Sequence, residues 1–229
     1  MRTLHLFAGA GGGILADLLL GHRPVCAVEI EKYPRSILQQ RQEDGHLPRF
    51  PIWDDINTFD GKPWRGLVDC VSGGFPCQDI SAAGKGAGLA GDRSGLWFEM
   101  LRVIDEVKPR FVFAENSPNL RTRGLGTVVE GLNSLGYDVR WGVLGAWHVG
   151  ANHKRNRMWV MAHPKSYECA PRTERSGRCL ARRSSWWAVE PDVGRVANGV
   201  ASRVDRIKAL GNGQVPLVAA TAWSVLSGN

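Results

Sequence analysis

Cys77 stands between Pro76 and Gln78 in the stretch GGFPCQDIS, residues 73–81, just after the apolar run 67–71. A thiolate is a strong nucleophile. A cysteine delivered by a buried strand onto a loop stiffened by proline is presented to a partner rather than packed. The same residue would also serve as a small buried hydrophobe, the usual fate of a free cysteine, and its immediate neighbours leave both readings open. Further along, Glu115-Asn116 follows the apolar run 111–114. A half-buried glutamate at a strand end has a raised pKa and can donate a proton near neutrality. Arg155 and Arg157 precede a third apolar run, 158–162. Strand alternation would point both arginines to one side, as a positive pair toward a substrate, although a basic edge strand also guards against aggregation. Nucleophile, acid and cationic pair make one site only if a fold gathers three distant strand ends.

The intervening pattern supplies such a fold. Residues 3–7 read as a short strand running into Ala8-Gly9-Ala10-Gly11-Gly12-Gly13 and then a helix over 14–20. Strand, glycine turn and helix open a nucleotide-binding, doubly wound sheet, in which the helix N-terminus offers unpaired N–H donors. The pattern is not GxGxxG. A second strand, 25–30, carries Glu29 at the interval where such folds place an acid against ribose hydroxyls. A third, 52–56, brings Asp54 and Asp55 to the next turn, where a carboxylate could accept from an adenine amino group or cap a helix. Strands over 67–72, 111–114, 137–149 and 158–162 follow. Helices are expected over 92–107, with Leu96, Met100, Val103, Ile104 and Val107 on one face, over 124–135, and over 217–226. Residues 82–91, rich in glycine and alanine, read as a lid or a plain connector. The expected fold is α/β, a doubly wound and mostly parallel sheet with a small basic lobe.

Composition narrows the function classes. The chain has 229 residues, 43% of them hydrophobic, enough for one full domain and a smaller lobe. No apolar run approaches the ~18 to 20 residues of a membrane span, and the start lacks the layout of a signal peptide, so a soluble, cytoplasmic protein is expected. The five cysteines (Cys26, Cys70, Cys77, Cys169, Cys179) form no CxxC pair. Reduced thiols and no metal site are expected, since His163, Cys169 and Cys179 fit no familiar ligand spacing. Residues 1–150 hold 16 Lys and Arg against 17 Asp and Glu, and residues 151–229 hold 13 against 5, which together give the net charge of +7. A near-neutral body with a basic last third suits a catalytic core joined to a polyanion-binding surface, or simply a solvated basic face.

The ordered set of motifs resembles the cytosine-C5 DNA methyltransferases. Residues 7–12 are similar to the S-adenosylmethionine loop of that family, Gly74-Phe75-Pro76-Cys77-Gln78 to its nucleophile loop, and Glu115-Asn116 to its acidic motif. Residues 153–157 resemble its QxRxR motif and residues 209–216 its closing GNxVxP motif. The resemblance covers most of 1–163 and then 207–220. It implies a class I S-adenosylmethionine-dependent, Rossmann-like enzyme that methylates carbon 5 of a flipped-out cytosine in a short double-stranded DNA site. In that chemistry Cys77 adds to carbon 6 of the ring, Glu115 holds or protonates N3, and Arg157 binds O2 with Arg155 in support. The implied contacts to S-adenosylmethionine are Phe7, Gly9, Gly11, Gly12, Glu29, Ile30, Asp55, Ile56, Pro76, Leu96 and Asn212. Gln78, Ser81 and Lys85, with Arg172, Arg175, Arg178, Arg182 and Arg183, are assigned to DNA. The implied setting is a bacterial or phage-borne monomer acting on DNA, with room for a companion restriction endonuclease.

Departures are visible. His5 stands where an acid is common, His153 replaces the glutamine of QxRxR, and Ser117 follows Glu-Asn where valine is common. The family's target-recognition domain lies between the arginine and closing motifs, and only a short basic stretch is available here. The expected organisation is a catalytic domain over 1–163, a recognition region over 164–206 in which Trp186 and Trp187 pack, and a return to the catalytic domain over 207–229. A transfer-RNA cytosine methyltransferase on the same scaffold and a non-catalytic DNA-binding relative are the alternatives. A nicotinamide-dependent oxidoreductase is excluded because the opening lacks GxGxxG and nothing serves hydride transfer.

Overall fold

The computed structural model describes residues 1–76, 95–166 and 202–228. Its strands are β1 (Arg2–Leu6), β2 (Arg23–Val28), β3 (Ile52–Trp53), β4 (Cys70–Gly73), β5 (Phe111–Asn116), β6 (Tyr137–Leu144) and β7 (Arg157–Pro164). The helices are α1 (Gly12–Leu19), α2 (Lys32–Glu43), α3 (Gly95–Val107), α4 (Leu120–Arg123), α5 (Leu125–Ser134), α6 (Arg203–Asn212) and α7 (Pro216–Ser227). The seven strands make one sheet in the order β3-β2-β1-β4-β5-β7-β6. The first five pair in parallel, whereas β7 runs antiparallel to both β5 and β6.

Both faces of the sheet are buried, which is why its strands read as continuous apolar runs. Alternation along β5 divides the work. Val112 and Ala114 join the apolar faces of α3 and α5, while Phe111 and Phe113 meet α7 on the other side. Trp223 of α7 packs edge-on against Phe111 at 5.5 Å and Phe113 at 5.2 Å between ring centroids. Helix α7 therefore completes the core although it comes last in the chain. Ile14 of α1, Ala27 of β2 and Leu38 of α2 form a third cluster beneath the glycine turn.

Several expected boundaries move for local reasons. β3 stops at Trp53 because Asp55 caps a single helical turn, its side chain accepting from the Asn57 N–H at 2.9 Å. α3 buries Trp97 where Leu96 was expected, and Leu96 is half-buried. The helix expected over 124–135 is α5, Leu125–Ser134, and a further short helix, α4, precedes it across Gly124. β6 ends at Leu144, and one helical turn over Ala146–Val149 replaces the rest of the expected strand. α6 was not anticipated and takes in Gly211 and Asn212 of the closing motif. Among the described residues no helix is long and apolar enough to cross a membrane.

Candidate active site

The strand order reverses between β1 and β4, and in open α/β sheets ligands bind outside the carboxyl ends of the strands at such a switch point. Here that edge carries the glycine turn after β1, the Gly74-Phe75-Pro76 segment after β4, and Glu115 near the end of β5. Because β7 runs the opposite way, its first residue, Arg157, reaches the same edge. The antiparallel return thus brings a motif more than forty residues downstream beside Glu115.

Glu115 is 7% exposed, and its Oε1 lies 2.8 Å from Nε of Arg157. Burial drives its pKa up to about 7, against the opposing pull of Arg157, Arg155 and a hydrogen bond from Gln214. The carboxyl is therefore poised to hold a proton near neutrality while remaining hydrogen-bonded. Asn116, 3% exposed, donates from Nδ2 to the Phe75 carbonyl at 2.9 Å and accepts the Ser117 N–H on Oδ1 at 2.7 Å. Phe75 in turn is buried against Trp97 at 4.9 Å. The end of β5 thus grips the segment leading to Cys77 at Pro76, the last described residue before it. Cys77 itself, with Gln78, Ser81 and Lys85, lies outside the described residues, as do Arg172, Arg175, Arg178, Arg182 and Arg183.

The expected pairing of Arg155 with Arg157 by strand alternation does not occur. β7 begins at Arg157, and Arg155 precedes it with a φ of 34°. Its Nη2 donates to the carbonyls of Leu210 at 3.0 Å and Gly211 at 2.9 Å, and also to that of Gly213. The two hydrogens of this one nitrogen are shared among three carbonyls at the end of α6. Arg155 thus fastens the α6–α7 junction to the site, and Arg157, which also reaches the Gly211 carbonyl, makes the ion pair with Glu115.

At the cofactor end, Glu29 is 7% exposed and fixed by two backbone donors, Gly9 N–H at 2.6 Å and Glu31 N–H at 2.8 Å. Phe7 and Gly9 have φ near 54°, and a Cβ on Gly9 would meet open space. Ile30 beside it is 63% exposed. A fixed carboxylate next to an open apolar face suits a ribose and its adenine. Three other assignments read differently. Ile56 is 4% exposed and belongs to the core. Asp55 caps the turn through Oδ1. Gly12 is explained by the chain itself, since a Cβ there would stand 2.3 Å from the Gln214 carbonyl oxygen. Pro76 and Asn212 are exposed.

Gln214 escaped the sequence reading, although a signal was present. It occupies the position at which GNxVxP carries valine, a polar residue in an apolar place. Asn116 was seen as part of a motif without its bond to Phe75. His5, noted only as a departure, donates to Asp17 at 2.8 Å in a buried cluster that includes His22.

Strand order and site together define the Rossmann-like fold of the class I S-adenosylmethionine-dependent methyltransferases. A crystal structure of the S. pombe Dnmt2 methyltransferase superposes with a TM-score of 0.58 over 72% of this chain and 49% of that one, at 20% identity. Among sequences, the Type II methyltransferase M.CviJI of Paramecium bursaria Chlorella virus IL3A is 34% identical over 169 residues, 73% of this chain and 44% of that protein. M.HhaI of Haemophilus parahaemolyticus is 32% identical over 165 residues, 70% and 48% respectively. The chain thus spans about half or less of the length of these relatives. The model of the C-5 cytosine-specific DNA methylases matches residues 1–185, and the chain belongs to that family.

Proposed function

We propose that this chain transfers a methyl group from S-adenosylmethionine to carbon 5 of cytosine in double-stranded DNA. The observation that carries the reading is the buried Glu115, ion-paired to Arg157 at the sheet edge onto which the Pro-Cys loop opens. An acid with a pKa of about 7 beside a fixed guanidinium matches the Watson–Crick edge of cytosine, whose N3 needs a proton and whose O2 needs a donor. The alternative on transfer RNA rests on the same residues and is separated by substrate choice alone.

In this mechanism the Cys77 thiolate donates its electron pair to carbon 6, breaking the 5,6 double bond, while the Glu115 proton passes to N3. Arg157 donates to O2 and keeps the base oriented. Bound S-adenosylmethionine would supply an electrophilic methyl carbon, and the Glu29 carboxylate and the open turn at Gly9 would hold its ribose end. Loss of the carbon 5 proton then expels Cys77 as thiolate, and N3 returns its proton to Glu115. Because stacking hides both faces of carbon 6, the cytosine must leave the helix to react. The basic region within 164–206 is the proposed DNA contact, reading a site of about two to four base pairs through Arg172, Arg175, Arg178, Arg182 and Arg183. The chain acts on DNA as a monomer in this reading, in a cytoplasm that could also hold a partner endonuclease.

The test offers purified protein with S-adenosylmethionine a duplex library containing 5-fluorocytosine, whose fluorine cannot leave as the proton does. A stable conjugate that maps to Cys77 by mass spectrometry is expected. Absence of any conjugate on DNA, with one forming on a transfer-RNA stem-loop, would move the reading to the RNA alternative.

A further inference from the structure

The side chain of Gln214 spans two parts of the site that no bond of the main chain connects. A Cβ built on Gly74 would stand 3.1 Å from Oε2 of Glu115 and 3.6 Å from Nε2 of Gln214, so the amide nitrogen and the carboxyl share one small space. At its other end, a Cβ on Gly13 would stand 2.8 Å from Oε1 of Gln214. That oxygen is buried and accepts no hydrogen bond among the described residues. The amide therefore bridges the first turn of α1 and the acid of β5.

Its orientation follows from charge. With the amide reversed, Oε1 would meet the ionised carboxylate acceptor to acceptor and the NH2 group would meet the N–H donors that open α1, so the nitrogen is assigned to the carboxyl side. The oxygen then faces the start of α1, whose first N–H groups lack intrahelical partners and whose N-cap, Gly11, supplies no side chain. The positive end of the helix offsets the missing partner of Oε1. The neighbouring backbone holds the residue in place, because the Gln214 carbonyl packs on Gly12 and the Gly213 carbonyl is clasped by Arg155.

We propose that Gln214 is a positioning residue for Glu115, fixing, together with Arg157, the plane in which the carboxyl meets the reacting base. This rests on the reading of Glu115 as the group that handles the proton of N3. Donation from Nε2 favours the ionised carboxylate over the neutral acid. It therefore moderates the upward push of burial and keeps the acid able to exchange its proton. Arg157 holds Oε1 from the strand side, so the carboxyl is gripped at both oxygens.

Gln214→Met keeps the length and removes the donor. In protein labelled with 13C at the glutamate carboxyl, with Glu115→Gln identifying the resonance, the Glu115 midpoint should rise by about one pH unit in Gln214→Met. The basic limb of the rate profile for methyl transfer should move up with it, while the plateau rate below that limb should fall roughly tenfold because the carboxyl is no longer held in place, with the KM for S-adenosylmethionine unchanged. If Gln214→Met does not fold, Gln214→Ala, which only removes atoms, reads the same midpoint. A folded variant whose midpoint and pH limb both stay where they are overturns the proposal, whatever its rate. If the midpoint rises but no methyl transfer is found even in the wild type, the positioning role stands and the functional reading falls.

Discussion

Asn116 of β5 donates its amide hydrogen to the carbonyl of Phe75 at 2.9 Å, with both residues buried. Pro76 has no N–H to anchor the segment that follows, so this bond ties the approach to Cys77 to the sheet. In Asn116→Ala the Phe75 carbonyl stays buried without its partner, at a cost of about 1–3 kcal/mol in urea unfolding. The methyl-transfer rate should fall while calorimetric affinity for S-adenosylmethionine holds, because the cofactor cradle is built from β1 and β2. Equal loss of rate and affinity would contradict this division.

The acid of β5 makes a pH prediction whose sign is fixed by its environment. Burial raises Glu115 from an ordinary 4.5 to about 7, so the folded protein keeps the carboxyl protonated where the unfolded chain does not. A proton donor works below its midpoint, and kcat/KM should fall as pH rises through about 7. Glu115→Gln keeps the shape but cannot release a proton, and should lower the rate by at least ~100-fold and erase that limb. Linkage has the same direction: this group's stability contribution is full below pH 4.5 and is lost as pH rises toward 7. Chemical denaturation at matched ionic strength reads the second effect without any substrate.

Much of this arrangement was legible in the sequence. Parallel strands buried on both faces announce themselves as apolar runs, and the residues that end them, Glu29 and Glu115, stand out as charges at the edge of such runs. The glycine turn and the last helix, α7, were legible for similar reasons. What stayed hidden depends on contacts between distant segments. That Arg155 clasps the carbonyls of α6 goes with a φ of 34° just before β7, which alternation cannot anticipate. The use of Gly12 is likewise set by a carbonyl two hundred residues away, and the cap formed by Asp55 competes locally with the strand it shortens.

Gly12 turns that last relationship into a measurement. A methyl group there would stand 2.3 Å from the Gln214 oxygen, 3.0 Å from the Gln214 backbone nitrogen and 3.0 Å from its carbonyl carbon. Backbone on both sides cannot swing aside as a flexible side chain would. Gly12→Ala should lower stability by roughly 1–3 kcal/mol in thermal or urea unfolding. It should also loosen the α6–α7 junction, seen as faster amide exchange over residues 209–216. Gly9→Ala is the control, since its Cβ meets open space and only the positive φ is strained. If Gly12→Ala were as stable as the wild type, the close packing of the returning chain on α1 would be wrong.

A second buried charge predicts behaviour in acid. Asp17 of α1 is 6% exposed, and its two oxygens face Nε2 of His5 at 2.8 Å and Nδ1 of His22 at 3.3 Å. An ionised carboxylate only accepts, so each histidine presents its N–H there. Burial alone would raise the pKa of Asp17, but hydrogen bonds from His22 and His5 bring it down from 3.8 to about 2. A depressed carboxylate stabilises the fold above its unfolded value, and that contribution disappears as pH falls from about 4 through about 2. Asp17→Asn should cost about 2 kcal/mol at pH 6.5, and the gap from wild type should close near pH 2. His22 also packs edge-on against Trp223 of α7 at 5.1 Å, so loss of the charge should weaken the docking of that helix. Urea titrations followed by tryptophan fluorescence report both effects, and a gap independent of pH would show that the charge on Asp17 does not stabilise the fold.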